Sequence, residues 1–277
     1  MKYKRAAGFT LVELLVVIAI IGVMVAMLIP AIQASREVGR RAQCQLNLGQ
    51  IMLAVQSYEN AYEVLPAGVI NPDGPIKSEA IGLHEGWLIQ MLPYLDYDTA
   101  YRQIDFSASV YAPANSAVRA LSPAVFICPS EPTDVLGRSN YAGCHHDVEA
   151  PIAADNQGVL FLNSQIRRHD VSDGASHTIF VGEKLNDPAD LGWMSGTRAT
   201  LRNTGTPLNQ FVDPSAPPPP PPPTWVGGFG SAHVGGAHIG FGDGTVRFVA
   251  EDIDGTLWKR LGNRADGQLI QINPDAN

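Results

Sequence analysis

Phe9-Thr-Leu-Val-Glu13-Leu-Leu-Val-Val-Ile-Ala-Ile-Ile-Gly22-Val-Met-Val-Ala-Met-Leu-Ile29 is the stretch from which the rest of the chain is read. A helix needs about 20 apolar residues to cross a bilayer, and residues 9–29 supply them with a single charge, Glu13. A secretory signal peptide would have a shorter apolar core, small residues at a following cleavage site, and usually no acid near its start. A plain anchor helix accounts for the length and leaves Glu13 unexplained. The flanking charges do not set orientation, because Lys2, Lys4 and Arg5 before the span balance Arg36, Arg40 and Arg41 after it. A carboxylate inside a membrane helix costs about 2.5–3.5 kcal/mol on insertion scales. With no cation within a turn or two on the apolar side, the partner of Glu13 is expected from another chain or from a new amino terminus.

The hexapeptide Gly8-Phe9-Thr10-Leu11-Val12-Glu13 resembles the prepilin peptidase site of type IV pilins and type II secretion pseudopilins. The resemblance implies cleavage between Gly8 and Phe9, N-methylation of Phe9, and a pairing of Glu13 with a neighbouring subunit's amino terminus during assembly. It also implies an inner-membrane, single-pass protein whose C-terminal domain is periplasmic, with prepilin peptidase and related pilin subunits as partners. Gly22 and Pro30 fall where pilin helices bend or melt, as weak helix positions do.

After Pro30 the pattern becomes striped: Leu48, Ile51, Met52, Val55, Tyr58 and Tyr62 recur at helical spacing among Gln50, Gln56 and Glu59. One helix from Phe9 to about Tyr62 would measure about 80 Å, its first part in lipid and its second laid on a globular domain. The expected organisation is a leader at 1–8, a membrane helix at 9–29, an amphipathic extension at 30–62, and an exported domain at 63–277. The fold class expected is α+β and pilin-like, with the long helix on an antiparallel, sheet-rich domain.

Within that domain Pro and Gly punctuate the chain. His84 to Ile104 is the helical exception, interrupted at Pro93, while 125–127, 158–162 and 178–181 read as strands. Asp-Gly pairs beginning at Asp73, Asp173, Asp243, Asp254 and Asp266 read as turns. Ile239 and Phe241, then Asp243-Gly244, then Val246 and Phe248 form a hairpin pattern. Prolines 217–223 predict a stiff polyproline loop within 214–224 of roughly 22 Å.

A second resemblance covers nearly the whole chain. It is carried by Arg41-Ala-Gln-Cys44-Gln-Leu-Asn47-Leu48, by Gly86-Trp87-Leu through Leu92-Pro93-Tyr94-Leu95, and by Phe126-Ile-Cys128-Pro129-Ser130. Asn140-Tyr141-Ala-Gly143 and Asp173-Gly174-Ala-Ser176-His177-Thr178 through Glu183 follow, then a histidine, nine residues and Asp-Gly, met by His233 and Asp243-Gly244. These segments resemble a large bacterial family of prepilin-like proteins whose exported domain has no known function. The pattern usually has asparagine at His177, and the proline run is an unusual insert. The resemblance implies a pseudopilin-like product and no established ligand.

Chemistry is sparse. A net charge of -8 without a basic face argues against nucleic acid. Cys44, Cys128 and Cys144 are too few for a disulfide scaffold. In an oxidising compartment a Cys128–Cys144 disulfide is the candidate pairing, with free buried thiols as the other case, and both stand ahead of zinc on Cys144-His145-His146 with Cys128, whose spacing fits no common finger. Cys44 is expected to pack. Asp243 is expected to make a turn and His233 to hydrogen-bond across a neighbouring loop, a metal or acid–base role being the alternative. Asp252-Ile-Asp254-Gly255 begins like a calcium loop but lacks the later acid, so no cofactor is expected and calcium is the weak alternative. No nucleophile with a nearby base is found, so no enzyme is expected. The alternative to an assembling subunit is a tethered binding module, with its ligand around the His233–Asp243 loop.

Overall fold

Helix α1, Leu11–Tyr62, is continuous in the computed structural model, which describes residues 10–131, 135–210 and 221–268. Gly22 and Pro30 lie inside it without ending it. By contacts the chain divides into two compact units, Met1–Ala42 and Gln43–Asn277. In the first, the large apolar side chains from Leu11 to Ile32 are 45–78% exposed, the pattern of a helix whose solvent is not water. Its apolar window is long enough to cross a membrane. In the second unit the same helix buries Cys44, Asn47, Leu48, Ile51, Met52, Ala54 and Val55. The expected stripe therefore holds to Val55; Tyr58 packs partly, and Tyr62 is exposed against it, ring to ring at 4.5 Å.

Short elements follow: β1 Val69–Ile70, β2 Glu85–Gly86, α2 Trp87–Met91, α3 Asp98–Tyr101 and α4 Ser116–Arg119. Pro93 sits in a tight turn of helix after α2, as expected of a residue lacking an amide hydrogen. The main sheet comprises β3 Tyr141–His146, β4 Ile179–Glu183, β5 Leu201–Asn203, β6 Gly236–Phe241 and β7 Val246–Ala250, in the order β5-β3-β4-β6-β7. The helix α5, Gly255–Gly262, is the last regular element among the described residues.

The sheet is mixed. All neighbours are antiparallel except β3 and β5, which run parallel with Gly143 opposite Leu201. β6 and β7 form the expected hairpin, with His238 opposite Phe248 and Gly240 opposite Val246. Two apolar clusters lie against the sheet. One joins Leu48, Ile51, Met52 and Val55 of α1 to Tyr141, Phe180 and Val181. The other joins Ala142, Cys144, Ile179, Ala237, Ile239 and Phe241 to Trp258 and Leu261 of α5. A register shift between Ile179 and Val181 lets Phe180 and Val181 enter the same cluster, against simple alternation.

Two expected strands are not strands. Residues 124–126 form a turn of 3₁₀ helix. The run 158–162 is buried but follows the end of β3 irregularly, with the Val159 and Leu160 amides both donating to the Cys144 carbonyl. Apolar runs of this length mark burial and do not distinguish strand from packed loop. Asp254 is not a turn residue: its carboxylate accepts the Thr256 and Leu257 amides and caps α5. That commits one oxygen of Asp254, a residue of the weak calcium alternative, to helix capping. Of the proline run, 217–220 lie outside the described residues.

Candidate functional site

Gly8 and Phe9, the expected cleavage and methylation positions, lie outside the described residues. Glu13 stands in the first turn of α1, where Thr10 precedes the helix. The Thr10 amide and hydroxyl donate to Glu13 Oε2 at 2.8 and 2.7 Å, and the Glu13 amide donates back to Thr10 Oγ1 at 3.3 Å. This is a capping box, in which threonine and a glutamate three residues on satisfy orphan amides at a helix start. It corrects the expectation that every partner of Glu13 comes from another chain or a free amine. One oxygen is held within the helix; among the described residues the other has no partner.

The second candidate lies where α1 meets the sheet. Cys44 and Cys128 form a disulfide with Cα atoms 5.2 Å apart, and Cys144 is free and buried. The expected Cys128–Cys144 pairing is therefore wrong. The sheet is the reason: Cys144, on β3, belongs to the cluster under α5, with its sulfur 3.6 Å from the Gly262 carbonyl. Cys128 enters from the loop facing α1. Burial pushes the Cys144 thiol well above the ordinary range, which disfavours the thiolate form that reacts.

Residues from separate stretches hold this loop to the helix. Asn47, one turn beyond Cys44, donates to the Ile127 carbonyl at 2.9 Å. Asn140, immediately before β3, accepts the Cys128 amide at 2.9 Å and donates to Glu131. The Tyr141 hydroxyl donates to the Cys44 carbonyl at 3.1 Å. Asn47, Asn140 and Tyr141 all lie in segments singled out from the sequence, and they converge on one clasp.

The third side of the clasp is ionisable. His233 Nε2 lies 3.6 Å from Cys128 Sγ and 3.5 Å from Glu183 Oε1. His238, on β6, reaches the same carboxylate with its ring at 3.1 Å and its amide at 2.8 Å. The antiparallel pairing of β4 with β6, Gly182 opposite Ile239, brings Glu183 beside His238. Burial would raise the Glu183 carboxyl, but the hydrogen bonds from His233 and His238 outweigh it and hold the group down at about 2. A buried carboxylate without such donors would be costly.

The nine-residue spacing now has a physical meaning. His233 and Asp243 do not meet; they stand beyond opposite ends of β6. Asp243 accepts the Thr245 amide and hydroxyl at 2.9 and 2.7 Å, making the turn as expected. Gly244 has φ +87°, and a Cβ there would stand 2.3 Å from Gln56 Nε2 on α1. Midway, a Cβ on Gly240 would stand 2.6 Å from Met52 Sδ. Cys44, Leu48, Met52 and Gln56 lie four residues apart along one face of α1. The motif therefore lays one strand along one helix face, with the disulfide at one end and the turn at the other. Sequence reasoning missed Glu183 as the partner of His233, and Cys44 as the partner of Cys128. The available signal was that Cys44 and Cys128 both lie in the singled-out segments, whereas Cys144 does not.

His233 and Glu183 are 2% and 1% exposed, so these two side chains are closed to a glycan or a protein partner. His145 is also buried, 3.0 Å from Asn156 Oδ1, and burial pulls it down to about 3. It stands apart from the clasp, and the alternative zinc set is not assembled, because Cys128 is bonded to Cys44 while Cys144 lies under α5.

Residues 33–256 match the model of a family described as Protein of unknown function (DUF1559), and residues 3–29 match the Prokaryotic N-terminal methylation motif. No curated protein and no solved structure matches the chain.

Proposed function

The chain belongs to the DUF1559 family and opens on a prepilin-type methylation motif, and on that premise we propose that it is a membrane-anchored structural subunit of a type II secretion-like or type IV pilus-like assembly. Prepilin peptidase cuts between Gly8 and Phe9 and the new terminus is methylated. The apolar half of α1 then sits in the inner membrane, and the sheet domain lies in the periplasm. The observation that carries this reading is the methylation motif joined to an apolar helix whose only charge before Arg36 is Glu13. Thr10 holds one oxygen of Glu13, which leaves the other for the amine of a neighbouring subunit. That pairing removes the cost of a lone carboxylate in lipid. The domain acts by packing and carries no catalysis of its own.

The test is mass spectrometry of the mature chain from membranes, followed by the Glu13→Ala variant. A chain beginning at methylated Phe9, with Glu13→Ala processed normally yet absent from sheared filaments, is the expected outcome. An intact Met1, or normal incorporation of the variant, would sink the assembly mechanism. For the binding-module reading, the burial of His233 puts that side chain out of reach of any ligand larger than an ion, while Val234 beside it stays 91% exposed.

A further inference from the structure

The clasp gathers more coordinating chemistry than a disulfide needs. One ligand atom from each of Cys44, Cys128, Glu183 and His233 lies within 4.8 Å of all the others, and all four residues are buried. We propose that these four side chains form a latent zinc site, filled when the Cys44–Cys128 bond is reduced. The inference is independent of filament assembly.

Two sulfurs, one imidazole nitrogen and one carboxylate oxygen suit a tetrahedral Zn²⁺ site. With metal–sulfur bonds of about 2.3 Å and metal–nitrogen or metal–oxygen bonds of about 2.0 Å, neighbouring ligands stand roughly 3.3–3.8 Å apart. His233 Nε2 already meets that spacing, at 3.6 Å from Cys128 Sγ and 3.5 Å from Glu183 Oε1. The two bonded sulfurs must part, which their Cα atoms at 5.2 Å leave room for, and the remaining ligand pairs, all within 4.8 Å, need close by about 1 Å at most. An outer shell is in place: His238 orients Glu183 through both its ring and its amide, and Asn140 fixes the Cys128 backbone.

The chemistry balances. A dithiol reductant delivers two electrons and two protons and is itself oxidised to a disulfide; the Cys44–Cys128 bond breaks and two thiols form. One Zn²⁺ then replaces the two thiol protons, which leave to water, while the His233 ring turns its Nε2 lone pair to the metal and carries its hydrogen on Nδ1. With Glu183 ionised throughout, the net charge of the four side chains and metal together is −1 as disulfide, as dithiol and as zinc complex. The buried surroundings meet the same charge in each state, so the exchange asks for no new counter-ion. A chain that reaches the envelope reduced thus has two ways to close the clasp.

The test uses the full-length chain in detergent, oxidised or reduced with a phosphine and then cleared of it, and given Zn²⁺ or Co²⁺ alone. The reduced chain should retain one metal per chain through gel filtration, and the oxidised chain should retain none. The Co²⁺ form should show thiolate-to-metal charge transfer and tetrahedral visible bands. His233→Ala should weaken binding by more than about tenfold, and Cys144→Ser should leave it unchanged. A reduced wild-type chain without metal or without thiolate bands would overturn the proposal, whatever the variants do. So would equal retention by the oxidised chain, or loss of binding in Cys144→Ser.

Discussion

The two halves of α1 share a helix and almost nothing else. From Leu11 to Ile32 the large apolar side chains face outward on every side, whereas from Cys44 to Val55 the apolar residues on one face are sealed against the sheet. A helix apolar all round belongs in lipid, and a striped one belongs on a core. The difference teaches where stability resides. The first half depends on its solvent, while the second depends on tertiary contacts and on the clasp at Cys44.

The sharpest way to break that division is at the clasp. Replacing Cys44 and Cys128 by serine removes a cross-link spanning 84 residues and should cost the exported domain about 4–5 kcal/mol by loop entropy. Urea unfolding followed by tryptophan fluorescence would measure it, and an unchanged midpoint would mean the disulfide bears no load. The halves themselves are contrasted by a pair of variants. Leu48→Ala should destabilise the domain by about 3–4 kcal/mol as a buried truncation. Val17→Arg should cost about 3 kcal/mol in membrane insertion and leave domain unfolding untouched. If both variants shift the same unfolding transition, the two halves are not energetically separate.

Acid probes the ionisable side of the clasp. The Glu183 carboxyl is held at about 2, below the ordinary glutamate value of about 4.3. A depressed carboxyl gives stability that is present above the unfolded value and lost as pH falls through the folded one. Stability on the order of 3 kcal/mol should therefore drain away between about pH 4.5 and 2. Glu183→Gln should flatten that dependence, and an equally steep acid limb in the variant would remove Glu183 from the account. The smallest effect is expected at the turn. Gly244→Ala meets a positive φ and the end of Gln56, a flexible side chain that can withdraw, so about 1 kcal/mol is expected from thermal melts.

Several features were legible before any coordinates. The membrane span, the start of the helix stripe, the break at Pro93 and the β6–β7 hairpin are written in local periodicity and in residues with few permitted backbone angles. Other features were not. The run 158–162 is as apolar as a strand, yet it is a packed loop, since a short buried segment looks the same either way. β3 carries glycine, cysteine and two histidines and shows no alternation, because its buried position left no solvent face to impose one.

The sequence by itself determined the two solvents of α1, the α+β class and the prepilin-type methylation motif, because each is a matter of spacing along the chain. It also contained every residue of the clasp. Only the tertiary structure decided that Cys44 joins Cys128, that Cys144 faces α5, and that His233 answers to Glu183 rather than Asp243. Those pairings join residues 84 and 50 positions apart, and the choice among three cysteines or several acids is made by which face of a sheet each one reaches. Local pattern carries no information on that, since it is settled when the loop before β3 and the strand β6 close on the same side of the helix.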